Sequence, residues 1–301
     1  MDLTGKVAVV TGSGQGLGLA YASALAAAGA SVVINDVDDA RVEDAVAKIE
    51  STGATAVGAT AVIGDAEAAD RLVSAALDAY GRLDVMVTNA GILRDRTLWN
   101  MSDDDFDAVI RVHLRGTFTC ARAAAIHFRE AGEGGRLILA GSPAGQRGNF
   151  GQTNYAAAKA GIAAMARTWA MELARANVTV NAVIPNAVTA MTATVPFLAP
   201  YADMIENGEP IPPEVRRGIS FGTAEDCAGL VVFLASDAAA GVTGQCIGVG
   251  GDRLSLWSHP VEVRSAFQDG GWSADDIASM FSTTVGESLE TYGITPPEFT
   301  G

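Results

Sequence analysis

Tyr155 and Lys159 stand one helical turn apart in the alanine-rich run GNFGQTNYAAAKAG, residues 148–161. In a helix that spacing puts both side chains on one face. A free tyrosine has a pKa near ~10 and is a poor base at neutral pH. An ammonium beside it favours the phenolate and lowers that value. The pair is therefore suited to carry a proton to or from an alcohol. Alone, such a pair is more often a solvated helix face. The chain, however, has only three lysines, Lys6, Lys48 and Lys159, its other basic residues being arginines. Ser142 also lies 13 residues ahead of Tyr155, just past the apolar run RLILAGS (136–142), where a hydroxyl can hold a substrate oxygen.

A second candidate site begins near the N-terminus. VVTGSGQGLGLA (9–20) places glycines at 12, 14, 16 and 18 between an apolar run and a helical pattern. Such a turn lets backbone approach a pyrophosphate, whose charge then sits at a helix N-terminus. The next apolar run, SVVIND (31–36), ends in Asp36. A carboxylate there accepts hydrogen bonds from ribose hydroxyls and repels a 2′-phosphate. No Arg or Lys lies at positions 13–18 or next to Asp36 in the chain, so the expected cofactor is NAD.

These residues need elements to position them. KVAVV (6–10) and SVVIND read as buried strands, and TAVGATAV (55–62) as a weaker one. LDVMVTNAG (83–91), RLILAGS, VTVNAVIP (178–185) and GQCIGVGG (244–251) bring the total to about seven. Helical patterns fall between them, at roughly 17–28, 39–51, 66–80, 103–130, 154–175 and 224–236. Asp65 and Ser102 are placed to cap two of these helices. Repeated strand–helix alternation predicts an α/β fold, and the glycine pattern favours a Rossmann-type doubly wound parallel sheet over a barrel. Residues 1–252 are the expected dinucleotide-binding catalytic domain. Within it, 186–222 carries five prolines and little periodicity, which predicts a substrate lid. Residues 253–301 are expected to be a C-terminal extension packing on that domain.

The bulk properties exclude several classes. A net charge of −15 argues against a nucleic-acid partner. The three cysteines are scattered, without a C-x-x-C pair, as expected of a reduced, cytoplasmic protein. His127 and His259 have no second ligand at metal spacing, and no metal is expected. The opening MDLTGKVAVV does not read as a signal peptide, and no apolar run is long enough to span a bilayer.

The motifs Thr11-Gly12-x-x-x-Gly16-x-Gly18, Asn89-Ala90-Gly91 and the set Ser142, Tyr155, Lys159 occur in an order and spacing that resembles the short-chain dehydrogenase/reductase family over roughly residues 1–250. The resemblance implies hydride transfer between a nicotinamide and a carbinol or carbonyl carbon. It makes Tyr155 the acid/base, Lys159 its helper and a ribose ligand, and Ser142 the holder of the substrate oxygen. It places Gly12, Gln15, Gly16, Leu17, Gly18, Asp36, Val62, Ile63, Asn89, Ala90, Gly91, Pro185 and Val188 along the cofactor. Two positions depart from the broad family: Val62 stands where it has an adenine-contacting Asp, and His113, a further catalytic candidate, where it has Asn in a water relay. His113 either holds such a water or fills the helix.

The loops NAGILRDRTLWNMSDDDFDAVIRVHLRGTF, GNFGQTNYAAAKAG and IPNAVTAMT resemble, more narrowly, the (3R)-hydroxyacyl-CoA dehydrogenase part of peroxisomal multifunctional enzyme type 2, which is also linked to 17β-hydroxysteroids. The expected substrate is thus a small molecule, a 3-hydroxyacyl-CoA or a steroid-like alcohol, and Arg94, Arg96, Arg147, Arg216 and Arg217 either border its mouth or are solvated. A 3-oxoacyl carrier-protein reductase and a nucleotide-binding protein without chemistry are the alternatives. The resemblance also implies a homodimer or homotetramer built on the helices at 103–130 and 154–175.

Overall fold

The computed structural model describes residues 1–188 and 198–294. Its centre is one eight-stranded sheet in the order β3-β2-β1-β4-β5-β6-β7-β8. The strands are β1 (Val7–Val10), β2 (Ser31–Ile34), β3 (Ala56–Gly58), β4 (Val85–Thr88), β5 (Gly135–Ala140), β6 (Val178–Pro185), β7 (Cys246–Gly250) and β8 (Arg253–Trp257). The first seven run parallel, and β8 pairs antiparallel with β7. The seven strands read from the sequence are all present. The eighth lies within the segment expected to be a C-terminal extension; RLSLW has exposed and half-buried positions and lacks the continuous apolar run of a central strand. The third is shorter than expected, because beyond Gly58 the chain leaves the sheet.

Helices cover both faces. On one side α1 (Gly16–Ala27), α2 (Asp39–Glu50) and α10 (Ala224–Ala235) pack on Ala8, Val10, Val32 and Ile34. On the other α3 (Ala66–Tyr80), α5 (Gly116–Ala131) and α7 (Thr153–Glu172) pack on Val7, Val9 and Val33. Successive strand residues thus enter opposite cores, which is why these strands read as unbroken apolar runs. The order reverses between β1 and β4, which opens a crevice at their carboxyl ends.

The long helix expected over 103–130 is three pieces: α4 (Asp103–Ile110), a π-helical segment Arg111–Arg115, and α5. Ser102 and Asp105 form a capping box at the start of α4, and Asp65 caps α3. Ser102→Ala should lower stability by about 1 kcal/mol, read as a fall in the urea midpoint at unchanged slope. A five-residue helix, α6 (Pro143–Arg147), stands between β5 and α7. In the expected lid region α8 (Ala199–Glu206) and α9 (Pro213–Gly218) enclose a small core of Leu198, Ile211, Val215 and Phe221. Residues 189–197 of that region lie outside the described residues. After β8 comes α11 (Ala274–Met280).

Candidate active site

Ser142, Tyr155 and Lys159 come together where α6 lies on α7. Ser142 leaves the end of β5 and caps α6, its Oγ accepting from the Ala144 N–H at 3.2 Å. Gly145 makes the close approach possible, since a Cβ there would lie 2.5 Å from the Lys159 carbonyl carbon. The Ser142 hydroxyl stands near enough to the Tyr155 phenol to favour its ionised form. Lys159 is 4% exposed, its Nζ donates to the Ala140 carbonyl at 2.6 Å, and it lies 5.5 Å from the centre of the Tyr155 ring.

Burial takes Lys159 from its ordinary 10.5 down to about 7. Burial also pushes the Tyr155 phenol up, the Ser142 hydroxyl opposes this, and the nearby Asp95 carboxylate adds to the rise. The net effect on the phenol is upward, against the lowering expected from the Tyr155–Lys159 spacing, because burial outweighs the favourable contacts. In this arrangement the phenol keeps its proton at neutral pH and is a proton donor.

His113 sits behind Tyr155. The π-helical segment turns it inward, to 2% exposure and edge-on to the phenol ring at 5.1 Å between centroids. Its Nε2 lies 3.0 Å from the Ile92 amide nitrogen and 2.8 Å from the Ile92 carbonyl, and Nδ1 is buried without a partner. Gly91 has to be glycine here: a Cβ would fall 2.3 Å from the imidazole Cε1. Burial first, then Lys159, brings His113 from 6.5 down to about 3. The unfolded chain therefore takes up a proton near pH 6.5 that the folded chain refuses until about pH 3. Stability should fall by roughly 1.4 kcal/mol per pH unit through that window, and His113→Asn should flatten the slope in urea titrations between pH 6.5 and 4.

The glycine loop is a cradle. Gly12 and Gly16 have φ of +62° and +56°. A Cβ on Gly12 would meet Ala90 Cα at 2.8 Å, and one on Gly18 the Gly12 carbonyl oxygen at 2.1 Å. Gln15 precedes α1 without a side-chain cap, leaving the first N–H groups of the helix to a ligand. Asn89 braces the loop: its Nδ2 donates to the Thr11 and Gly12 carbonyls at 3.1 and 3.2 Å, and Thr11 Oγ1 accepts from the Asn89 and Ala90 amides. Leu17 packs against the core on the α1 side.

Asp36 follows β2, 9% exposed, with Oδ1 accepting from the Val37 amide at 2.8 Å. Val62 is 63% exposed, whereas Ile63 is buried in the core and packs where Gly116 has no side chain. Pro185 ends β6, and the Val188 amide donates to Gly222 at 2.8 Å. This cradle fits the pyrophosphate and ribose of a dinucleotide.

Several partners were not legible in the sequence. Asn35 ties the glycine loop to the loop after β3, accepting from the Gly12 amide and donating to Ala59 and Ala61 carbonyls. Arg41 comes from α2 to the same place: a Cβ on Gly14 would lie 2.7 Å from Asp36 Oδ2 and 2.9 Å from Arg41 Cβ. Arg41 Cβ lies against Gly14, while Arg41 Nε pairs with Asp38 Oδ2 at 3.5 Å. Asn154, fully buried, donates to the Arg94 and Asp105 carbonyls and sets the first turn of α7. Its position immediately before Tyr155 was the one available signal.

The five arginines expected at the mouth divide. Arg216 is spent on Asp226 and Asp252, and Arg147 is clasped by the C-terminal segment through Thr291 and Gly293. Arg94, Arg96 and Arg217 remain exposed. His259 bonds the Gly244 carbonyl, and among the described residues no group of His, Cys, Asp and Glu could hold a metal.

Residues 6–196 match the family described as short chain dehydrogenase. The chain belongs to the short-chain dehydrogenase family. It is 44% identical over 291 residues to the hydroxyacyl-CoA dehydrogenase ChsB1 of Mycobacterium tuberculosis, covering 92% of this chain and 88% of that one. It is 44% identical over 200 residues to the mouse peroxisomal multifunctional enzyme type 2, but spans only 27% of that longer protein and uses 64% of its own length. A 3-oxoacyl-[acyl-carrier-protein] reductase of Synechocystis is 42% identical, with 83% of this chain and 97% of that one covered. Among solved structures, a short chain dehydrogenase from Mycobacterium avium superposes with a TM-score of 0.84 at 34% identity, covering 99% of this chain and all of the other. The family resemblance read from the motifs is thus correct, and so is the narrower one. This short-chain dehydrogenase is an oxidoreductase with a doubly wound α/β fold, and the small-molecule substrate follows from its relatives.

Proposed function

We propose that this short-chain dehydrogenase oxidises 3-hydroxyacyl-CoA thioesters with NAD, using Ser142, Tyr155 and Lys159. The observation that carries the reading is the hydroxyl–phenol–ammonium cluster at the carboxyl edge of the sheet, beside the glycine cradle. When bound, the nicotinamide dinucleotide supplies the hydride acceptor. Ser142 Oγ orients the substrate oxygen; for oxidation the Tyr155 phenol has first to give up its own proton, which the Lys159 ammonium and a cationic nicotinamide would favour, so that its phenolate oxygen can take the proton of the alcohol. Lys159 stabilises negative charge on that oxygen as the proton leaves. Asp36, with its second oxygen turned to the glycine loop, supports NAD over NADP. The likeness to ChsB1 supports the acyl-CoA class, and the exposed Arg94 and Arg96 are available to its phosphates.

Steady-state rates for a panel of 3-hydroxyacyl-CoAs and 17-hydroxysteroids, each with NAD and NADP, test this. Turnover confined to NADP would overturn the cofactor reading, and no turnover of any thioester would overturn the substrate. Asp36→Ala should cut the NAD-to-NADP ratio of kcat/KM at least about tenfold, since two hydrogen bonds and a repelling charge go together. The likeness to the Synechocystis 3-oxoacyl-[acyl-carrier-protein] reductase supports the second reading, a carrier-protein reductase using NADPH, with Arg41, itself paired with Asp38, as the nearest basic residue to the glycine loop along α2. Exposed Phe106, Phe118 and Met171 on α4, α5 and α7 support assembly into a homodimer or homotetramer. Three buried, unpaired cysteines support a reduced, cytoplasmic setting. Among the described residues no helix is long and apolar enough to cross a membrane.

A further inference from the structure

We infer that Gly14 is a positioning residue for cofactor choice: the side chain it lacks is what lets the Asp36 carboxylate stand against the glycine loop and so favour NAD over a 2′-phosphorylated dinucleotide. The inference rests on the reading of Asp36 as the carboxylate that meets the ribose. Gly14 is none of the positions by which the glycine loop resembles the family, Thr11, Gly12, Gly16 and Gly18. Its backbone does not demand glycine either. Gly12 and Gly16 have positive φ, whereas Gly14 lies outside the left-handed region. Space is the reason for glycine here. A Cβ on Gly14 would lie 2.7 Å from Asp36 Oδ2, 2.9 Å from Arg41 Cβ and 3.0 Å from Asp36 Cβ. Carbon atoms in contact settle at about 3.5–4.0 Å, so any side chain at 14 makes one of these neighbours move.

Two of the three parts that meet at Gly14 are held. Ser13 and Asn35, the residues just before Gly14 and Asp36, are buried and tied to each other. The Ser13 amide donates to the Asn35 carbonyl at 2.7 Å, and the Asn35 amide donates to Ser13 Oγ at 3.0 Å. Ser13 Oγ in turn donates to the Val10 carbonyl at 2.7 Å. The loop cannot back away from the end of β2 without breaking these bonds. Arg41 stands in the first turn of α2, where Asp38 Oδ1 accepts from the Ala40 and Arg41 amides at 3.0 and 3.5 Å. Its Cβ is as fixed as that helix start. Asp36 is the soft part. Oδ1 accepts from the Val37 and Asp38 amides at 2.8 and 3.4 Å, whereas Oδ2 has no hydrogen bond among the described residues. A side chain at 14 therefore turns the Asp36 carboxylate out of the loop.

A carboxylate at this place accepts from ribose hydroxyls and repels a 2′-phosphate. Turned outward, it does less of both. NAD loses an acceptor, and NADP escapes part of a repulsion. Damage to the pyrophosphate cradle alone would instead weaken both dinucleotides together, since the pyrophosphate is common to them.

Fluorescence titration of NADH and NADPH separates these cases without turnover. The wild type should bind NADH the more tightly. Gly14→Ala should lower the NADPH-to-NADH ratio of dissociation constants at least about fivefold, and Gly14→Ser at least as far. In an Asp36→Ala background the Gly14→Ala change should move the ratio by less than about twofold, because the group through which it acts is gone. Arg41→Ala keeps the Cβ that faces Gly14 and should leave the ratio within about twofold of wild type. Equal weakening of both dinucleotides in Gly14→Ala overturns the inference, as does the same fall of the ratio with and without Asp36. A ratio that moves in Arg41→Ala and stays in Gly14→Ala gives the selectivity to the guanidinium and overturns it too. If Asp36→Ala lowers the ratio and Gly14→Ala does not, this inference alone falls. If Asp36→Ala leaves the ratio unmoved, the reading of Asp36 falls with it.

Discussion

Tyr155→Phe should lower kcat for 3-hydroxyacyl-CoA oxidation at least about 10³-fold, at the upper end of what a positioned acid/base contributes. The change removes one oxygen and keeps the ring. The ring is what packs edge-on against His113 and lies under the Lys159 ammonium, so the fold around it should persist. Ser142 keeps its place as well, because its Oγ also caps α6 through Ala144. The loss should therefore fall on kcat, with NADH affinity by fluorescence titration changed by no more than about threefold. Activity within tenfold of wild type would remove Tyr155 from the chemistry and leave the cluster as packing.

Lys159→Met should cost at least about 10²-fold in kcat/KM and change the pH dependence of stability in the opposite sense from a lost ion pair. The ammonium is buried with one carbonyl partner, so the folded chain holds its proton less tightly than the unfolded chain does, about 7 against 10.5. Between those values the unfolded state binds more protons, and wild-type stability rises with pH at up to roughly 1.4 kcal/mol per unit. Below about 7 both states are protonated and the slope ends. Lys159→Met should flatten this rise and be more stable than wild type near pH 7, by an amount of the order of a few kcal/mol. Urea unfolding at pH 7 and 9 checks both statements. A variant less stable at pH 7 would mean that the lysine is compensated by more than Ala140. Lys159→Arg should not restore turnover, since a planar fork does not fit where a point charge sits over a ring.

The residues of the proposed chemistry are legible in the chain itself. Tyr155, Lys159 and Ser142 share a site because one pair is local to a helix and the other residue ends a strand whose neighbour is that helix. Glycines 12, 16 and 18 announce the cradle because positive φ and close backbone approach demand them. Their neighbours could not be read in the same way. Asn35, Arg41 and Asn89 meet the loop from three different elements, and only the sheet order brings those elements together. The π-helical turn at His113 has no periodicity of its own to betray it, since Arg111–Arg115 continues a helical pattern on both sides. Asp95 and Gln152 lie 57 residues apart in the chain, and only the fold brings the amide to the carboxylate.

Sequence alone thus determined what depends on local spacing. It carried the alternation of strands and helices, the continuous apolar runs of strands buried on both faces, the caps at Asp65 and Ser102, and the residue types from which the proposed chemistry is drawn. Tertiary structure decided what depends on which distant segments touch. It added the edge strand Arg253–Trp257, committed Arg147 to the C-terminal segment and Arg216 to two aspartates, and set the protonation of the site. The physical reason is the same in each case. Dihedral preferences and hydrophobic period act within a few residues, whereas desolvation and hydrogen-bond partnership are properties of the packed interior. Burial, which no spacing encodes, is what brought Lys159 down to about 7 and kept the Tyr155 phenol protonated.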